Sequence, residues 1–281
     1  MAVLMASVAL TATAGCGAGQ EREVVVEGSP PATPYGGPLD VATRELDEDT
    51  PKALLAGAGA AGRALECDGE ISWGGGPDGW NRSDGGDTPE DGLRLWFDLF
   101  DPPGPRSGFR VEREESDRVL YSFDVGGRTR IAVVVAEDQP DRPGWGPETH
   151  ASCDPAELPA GVTDDGEEEI WTGRDGERIP TTTLSSHAGA EHCGWQSAHF
   201  LGMGRGAAYR QYVRDPHHVL DADLLTAPYD GDVRMPDDAH DTGYRYGDRR
   251  LWLTDDRSTA YVRTSDGVEA WPLAKEPVAC H

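Results

Sequence analysis

The chain has 281 residues and is strongly acidic, with 51 aspartates and glutamates against 25 lysines and arginines and a formal net charge of −26. Binding to phosphate groups requires a cationic surface, so this balance excludes a nucleic-acid partner and a polybasic contact with anionic lipid. The length suits one large domain or two ordinary ones.

An apolar run at residues 2–14 is long enough for the core of a signal peptide and too short to span a bilayer. A small residue, a glycine and then Cys16 follow, which is the pattern of a bacterial lipobox. In a lipobox the chain is cleaved before the cysteine, whose thiol then carries a lipid. We therefore predict that residues 1–15 are a signal peptide, that Cys16 is the lipid-attachment site, and that the mature protein lies outside the cytoplasm on a membrane.

The predicted leader lacks a basic n-region, because no lysine or arginine precedes Arg22. Either the true start lies upstream of Met1, or the run is an apolar N-terminus without a signal function. We favour the first interpretation because the cysteine count suits an exported protein. Residues 16–48 combine glycine, charge and proline with little to bury, which predicts a flexible tether behind the lipidated cysteine.

Four cysteines remain when Cys16 is set aside, an even number that favours disulfides in an oxidising compartment. Their spacings are nearly equal, since 153 − 67 = 86 and 280 − 193 = 87. Of the three possible pairings, Cys67–Cys153 and Cys193–Cys280 each close one module, and we predict these two disulfides. The alternative is a cytosolic protein with free thiols, which would make both the lipobox and the spacing coincidental.

A first α+β module is predicted over residues 49–158. Thr50-Pro51 and Thr88-Pro89 each place a capping threonine before a proline, which is typical of a helix start. The second of these precedes a dense apolar stretch, so its helix should be pressed against another layer.

The clearest strand pattern is a hairpin. Alternating apolar residues at 119–125 and 131–135 flank Gly126-Gly127, which indicates a two-residue turn. Further strands are predicted at 67–73, 109–114 and 145–153. This module should therefore pack a helix against an antiparallel sheet.

Residues 159–167 indicate a linker, and residues 168–281 a second, mainly β module. Strands separated by aspartate, glycine and serine turns are predicted at 169–172, 179–184, 195–203, 209–213, 244–246, 251–253, 260–262 and 268–271. A short helix is predicted at 216–225. The fold class is thus α+β, with two antiparallel-sheet modules and one disulfide in each.

Motifs for cofactors lack the context they need. Gly57, Gly59 and Gly62 match GxGxxG, but no strand precedes them and they fall within a predicted helix. The acidic loop 78–87 lacks the ligand order and the closing glutamate of an EF-hand. Histidines surround Cys193 without a zinc spacing; they are His187, His192, His199, His217 and His218. We expect no cofactor and no metal site.

Eight tryptophans are many for so polar a chain. We predict that most fill the two cores, with Trp96 and Trp252 as the first candidates. Trp80 lies between Gly79 and Asn81 in a polar loop, where an exposed indole would suit stacking on a sugar or contact with a protein. Trp80 is therefore a candidate contact residue, with core packing as the alternative.

Several stretches resemble recurrent segments of a family of secreted lipoproteins of high-GC Gram-positive bacteria. They lie at 118–128, 144–157, 191–196, 241–253 and 268–280, and the resemblance covers roughly residues 65–281. It implies export, a lipid anchor and two disulfide-closed modules. Because no activity is known for this family, it implies no catalytic residue.

The favoured function is a binding or interaction protein at the cell envelope, attached to the membrane through its lipid, with an envelope protein or glycan as partner. One alternative is an envelope hydrolase acting on glycan or peptide, which requires a deep pocket that gathers carboxylates or histidines with shifted pKa values. Another is an inhibitor or immunity-type partner of an extracellular enzyme, which requires a flat surface with exposed aromatics. GxSxG is absent, and 51 carboxylates do not single out a catalytic pair.

Overall fold

The computed structural model describes residues 24–27, 33–44, 46, 50–75, 80–100, 102, 106–163 and 166–280, so the predicted signal peptide and Cys16 lie outside it. The α-helices are α1 (Pro51–Ala64), α2 (Pro89–Phe100) and α3 (Ala160–Thr163). The strands are β1 (Val25–Val26), β2 (Ile71–Gly75), β3 (Ser107–Glu114), β4 (Arg118–Val125), β5 (Arg128–Gln139), β6 (Arg142–Cys153), β7 (Leu184–Ala188), β8 (His199–Met203), β9 (Arg210–Arg214), β10 (His240–Tyr246), β11 (Arg249–Leu253), β12 (Thr259–Arg263) and β13 (Val268–Pro272). Short 3₁₀ helices lie at Pro155–Glu157, Glu191–Cys193, Gly206–Ala208 and Ala222–Leu224.

The first module is built on a six-stranded sheet in the order β1-β3-β4-β5-β6-β2. Strands β3, β4, β5, β6 and β2 pair antiparallel, whereas β1 adds to β3 in parallel. The predicted hairpin is confirmed as β4 and β5. Its turn requires glycine because Gly126 and Gly127 have positive φ angles, 61° and 79°.

Two helices cover opposite faces of this sheet. On one face Trp96 of α2 packs with Tyr121 and Val133. On the other face the alanines of α1 pack with Leu120 and Val134. Successive residues of a strand point to opposite faces, so β4 and β5 are buried on both sides. The predicted helix on an antiparallel sheet is confirmed, and the second helix makes a three-layer module.

The GxGxxG glycines allow α1 to pack closely and to bend. A Cβ on Gly57 would lie 2.2 Å from the indole of Trp73, and a Cβ on Gly62 would lie 2.4 Å from the Cβ of Ala58. Gly59 interrupts the helix with φ 57° and ψ −136°. The motif therefore has a packing role in this fold.

Both predicted disulfides are present. Cys67 and Cys153 have Cα atoms 5.3 Å apart, and they join the segment before β2 to the end of β6. Cys193 and Cys280 have Cα atoms 6.4 Å apart, and they join the loop before β8 to the C-terminal segment. Each bridge therefore closes one module.

The segment predicted as a tether, 16–48, belongs to the fold where it is described. Val24 enters the core beneath α2, next to the paired strand β1. Leu39 is 1% exposed in the core beneath α1, and the Tyr35 N–H donates to Glu112 Oε1 at 2.6 Å. The prediction of a flexible tether is wrong for this part. Three consecutive valines at 24–26 and the separate Leu39 are too few to show a helical or strand period, but the sheet edge and the α1 face bury Val24 and Leu39.

The second module contains a three-stranded sheet, β7-β8-β9, and a four-stranded sheet, β10-β11-β12-β13. Their shared core includes Trp171, Leu201, Tyr212, Leu251 and Trp271, all fully buried. The last six predicted strands are present with shifted ends.

Three local predictions in this module are wrong. The strand at 169–172 is replaced by isolated pairs such as Thr172 with Arg245. The strand predicted at 179–184 begins only at Leu184. The helix predicted at 216–225 is reduced to a single 3₁₀ turn. Tertiary contacts override these weak local preferences.

Described residues on both sides of the junction make contacts between the modules. Val162, inside the predicted linker 159–167, packs into the core beneath α2. The buried Asp154 carboxylate accepts hydrogen bonds from the Thr181 N–H at 3.1 Å and the Thr181 hydroxyl at 2.9 Å. Arg178 donates to the Thr163 hydroxyl at 2.6 Å. These contacts fix the second module against the first.

Candidate functional site

A cleft lies between the modules, where α1 and β2 of the first face the β8–β9 loop of the second. It has two lobes of about 770 and 720 Å³, which share Glu70, Gly204 and Arg205. The first, here called the aromatic lobe, is lined further by Leu54, Ile71, Ser72, Trp73, Gly206 and Tyr209. The second, here called the cationic lobe, includes Thr182, Thr183, Arg210, Tyr244 and Arg257.

The β8–β9 loop forms one wall of the cleft and carries Arg205. The loop turns at Gly204, whose φ of 78° favours glycine. Tyr209 lies across Gly202, because a Cβ on that glycine would be 2.6 Å from the tyrosine Oη. Burial, together with the charge of Glu168, raises the pKa of Tyr209, which keeps its hydroxyl protonated at neutral pH.

The opposite wall comes from the first module. Trp73 of β2 packs against Gly57 of α1 and lines the aromatic lobe. Glu70, just before β2, forms an ion pair with Arg205 across the cleft. The two side chains are 36% and 45% exposed. An ion pair this exposed contributes at most about 1 kcal/mol to stability.

The cationic lobe holds two arginines that lack a carboxylate partner among the described residues. Arg210 donates only to main-chain carbonyls, those of Ala207 at 3.2 Å and Tyr209 at 2.8 Å. The carbonyl of Arg257 accepts from the Tyr212 hydroxyl at 2.9 Å. Burial raises the pKa of Tyr212, and the charges of Arg257 and Arg210 oppose that rise. Both guanidinium groups therefore stand near one buried phenol at this end of the cleft.

Trp80 does not occupy an exposed position, which corrects the expectation of a contact residue there. It is 4% exposed, and its indole N–H donates to the Pro147 carbonyl at 3.1 Å. The indole lies on Gly146, where a Cβ would be 2.3 Å from the ring. Its polar sequence neighbours gave no sign of this, because the burying surface comes from the distant strand β6.

The tryptophan prediction for the cores is confirmed at Trp96, which is 2% exposed. Trp252 is only half-buried, and the Arg263 guanidinium lies over its ring, 5.1 Å from the centroid. The fully buried indoles of the second core are Trp171 and Trp271. The sequence could not show which tryptophans are most buried, because burial depends on which face of each segment packs against the core.

The histidines around Cys193 do not converge in the structure. Only His192 approaches the bridge, with its Nε2 3.0 Å from Cys280 Sγ. His187 instead stacks on Phe200. Sulfur atoms held in a disulfide are not available as thiolate ligands.

The acidic loop 78–87 is described from Trp80 onward. Asp84 accepts hydrogen bonds from the Asn81 side chain at 3.1 Å and from its backbone N–H at 3.2 Å. These hydrogen bonds hold the pKa of Asp84 below its ordinary value. The carboxylate therefore stabilises its own turn.

Two carboxylates lie in the second module away from the cleft, and each is held by an arginine. Glu169 accepts from Arg249. Glu269 accepts from Arg214 at 2.9 Å. His199 lies nearby, 3.7 Å from Glu169, and burial lowers its pKa. Carboxylates held by arginines in this way suit a structural network better than acid–base chemistry.

No protein-family model matches the chain, and neither a curated protein nor a solved structure shows detectable similarity to it. Within the described residues, no helix is long and apolar enough to cross a membrane.

Proposed function

We propose that this chain is an exported, lipid-anchored binding protein of the cell envelope, whose ligand occupies the cleft between the two modules. The cleft carries this proposal. It lies at a junction of two modules, a preferred place for ligand sites, and combines half-buried aromatic rings with convergent cations.

Export is supported by the cysteines. The lipobox places Cys16 behind an apolar run, and the other four cysteines pair in two disulfides. Disulfides persist in oxidising compartments and are rare in the cytosol. A lipid on Cys16 would attach the folded part to the outer face of the membrane.

A binding role fits the cleft better than hydrolysis does. The residues lining the two lobes include one carboxylate, Glu70, and no histidine. Glu70 is already paired with Arg205. A hydrolase of the predicted kind requires two opposed carboxylates or a nucleophile beside a base, and the cleft lining offers neither arrangement.

Affinity capture tests the ligand site. Mature protein immobilised on beads should retain a component of solubilised envelope material from a high-GC Gram-positive bacterium, identified by mass spectrometry and sugar analysis. Changing Arg205→Ala together with Tyr209→Ala should abolish retention, because both side chains line the cleft. Arg82→Ala, at an exposed ion pair elsewhere, is the matched control. Equal retention by the cleft variant, or retention of neither protein nor glycan, would refute the proposed site.

The anchor is tested separately at Cys16. Expressed from its chromosomal gene, the protein should incorporate labelled palmitate and sediment with membranes. The Cys16→Ser variant should incorporate none and appear in the soluble fraction, because the thiol is the attachment atom. Normal labelling of Cys16→Ser would contradict lipidation at this residue.

A further inference from the structure

We propose that the ligand of the cleft is an acidic glycan polymer, with a sugar ring in the aromatic lobe and an anionic group in the cationic lobe. This inference rests on the proposed function and specifies the chemical class of the ligand. Glu70 acts as an internal anion that the ligand replaces at Arg205.

Charge complementarity indicates an anion. The chain has a formal net charge of −26, yet three arginines and one glutamate line the cleft. Arg210 and Arg257 have no carboxylate partner among the described residues, although acidic side chains outnumber basic ones two to one overall. Asp256 also acts on the Tyr212 phenol beside these arginines. The cleft lining itself still holds three guanidinium groups against one carboxylate, and guanidinium groups match carboxylate and phosphate geometry.

The aromatic lobe indicates a sugar ring. Trp73 is fixed by Gly57, and Tyr209 by Gly202, so both rings are positioned before a ligand arrives. Rigid aromatic rings give a large contact area at a low cost in conformational entropy. A hydroxyl group borders each lobe, that of Ser72 in the aromatic lobe and that of Thr182 in the cationic lobe. This mixture, open to solvent, fits a hydroxylated ring better than a lipid chain.

The ion pair between Glu70 and Arg205 lies where the two lobes meet. Both side chains are partly exposed, so the pair is weak and an incoming anion can replace the carboxylate. Glu70 itself repels an anion in either lobe. Its neutralisation should therefore strengthen binding, whereas loss of the arginines should weaken it.

Isothermal titration calorimetry tests this with three probes: hexagalacturonate, a hexamer of glucose units joined by phosphodiesters, and the neutral cellohexaose. We expect wild-type protein to bind at least one anionic probe, with affinity that falls as salt rises. Arg210→Ala with Arg257→Ala should weaken that binding by about tenfold or more, since each charge-assisted contact is of that order. Glu70→Gln should tighten it by roughly threefold or more.

Control variants separate the effect of charges in the cleft from the effect of the protein's net charge. Arg82→Ala removes one positive charge and Asp141→Asn one negative charge at a remote, exposed ion pair, and neither should change the affinity. All these side chains are at least one-third exposed, so the variants should fold, which circular dichroism verifies.

The outcomes distinguish this inference from the proposed function. Anion binding that depends on the cationic lobe supports it, and the preferred probe identifies the carboxylate or phosphodiester source. Salt-independent binding of cellohexaose, lost in the variant Tyr209→Ala, would overturn the acidic ligand but retain the cleft as a binding site. If no probe binds in the cleft, the inference fails, and envelope capture still decides the proposed function.

Discussion

Removal of the Cys67–Cys153 disulfide is expected to lower the free energy of unfolding by about 4 kcal/mol or more. The bridge spans a sequence separation of 86 residues. In the chain-entropy model, closing a loop of that length restricts the unfolded chain by about 4 kcal/mol. Cys153 is fully buried, so replacing both cysteines with alanine also leaves unfilled space beside β6. Urea unfolding of Cys67→Ala with Cys153→Ala measures the loss.

The second bridge provides a matched comparison. Cys193–Cys280 has a sequence separation of 87 residues, so its entropic contribution should be nearly the same. Its two cysteines are only half-buried, and replacing them should leave little cavity. The first double variant should therefore be the less stable of the two. If both double variants lose the same free energy of unfolding, burial of Cys153 adds nothing to the entropic contribution of the bridge.

Acidification is expected to destabilise the first module through His150. Its ring lies 4.4 Å from Phe100 and 5.7 Å from Trp96, centroid to centroid. Burial lowers the pKa of His150 to about 4, from an ordinary value of 6.5. The folded state thus favours the neutral ring, while the unfolded state takes up a proton below pH 6.5. The contribution of neutral His150 to the free energy of unfolding is fully present above pH 6.5 and is lost as the pH falls towards 4.

The His150 contribution should reach about 3 kcal/mol at pH 4, because each pKa unit corresponds to about 1.4 kcal/mol. Denaturant unfolding of wild type and of His150→Phe at pH 7 and pH 4 isolates it, since both proteins share every carboxylate. Between pH 7 and pH 4, the free energy of unfolding should fall by about 3 kcal/mol less in the phenylalanine variant than in wild type. His217→Phe, at an exposed histidine, should behave like wild type. A pH dependence unchanged by His150→Phe would rule out this explanation.

A helix cap, the hairpin turn and the disulfide pairing could be predicted from the sequence. Thr50 accepts a hydrogen bond from the Ala53 N–H, as a capping residue should, and α1 begins at Pro51. Gly126-Gly127 adopts the positive φ angles that its hairpin requires. The disulfide pairing followed from spacing because each bridge closes a contiguous module.

Long-range packing could not be predicted from the sequence. Trp80 is buried by Gly146 and Pro147 of β6, more than 60 residues further along the chain. The cleft depends on Glu70 and Arg205, which are separated by 135 residues. No local pattern joins such pairs, since their proximity arises only when the modules dock. The nearest sequence signal is Arg205, a single arginine between Gly204 and Gly206 in the β8–β9 loop.

The strand β1 has a mechanical consequence. Because Val24 is already packed in the core, only eight residue steps separate it from Cys16. A fully extended chain of that length reaches about 28 Å. If Cys16 carries the lipid, the sheet edge at β1 is held within that distance of the bilayer, and any drag on the body is transmitted directly to the β1–β3 pairing.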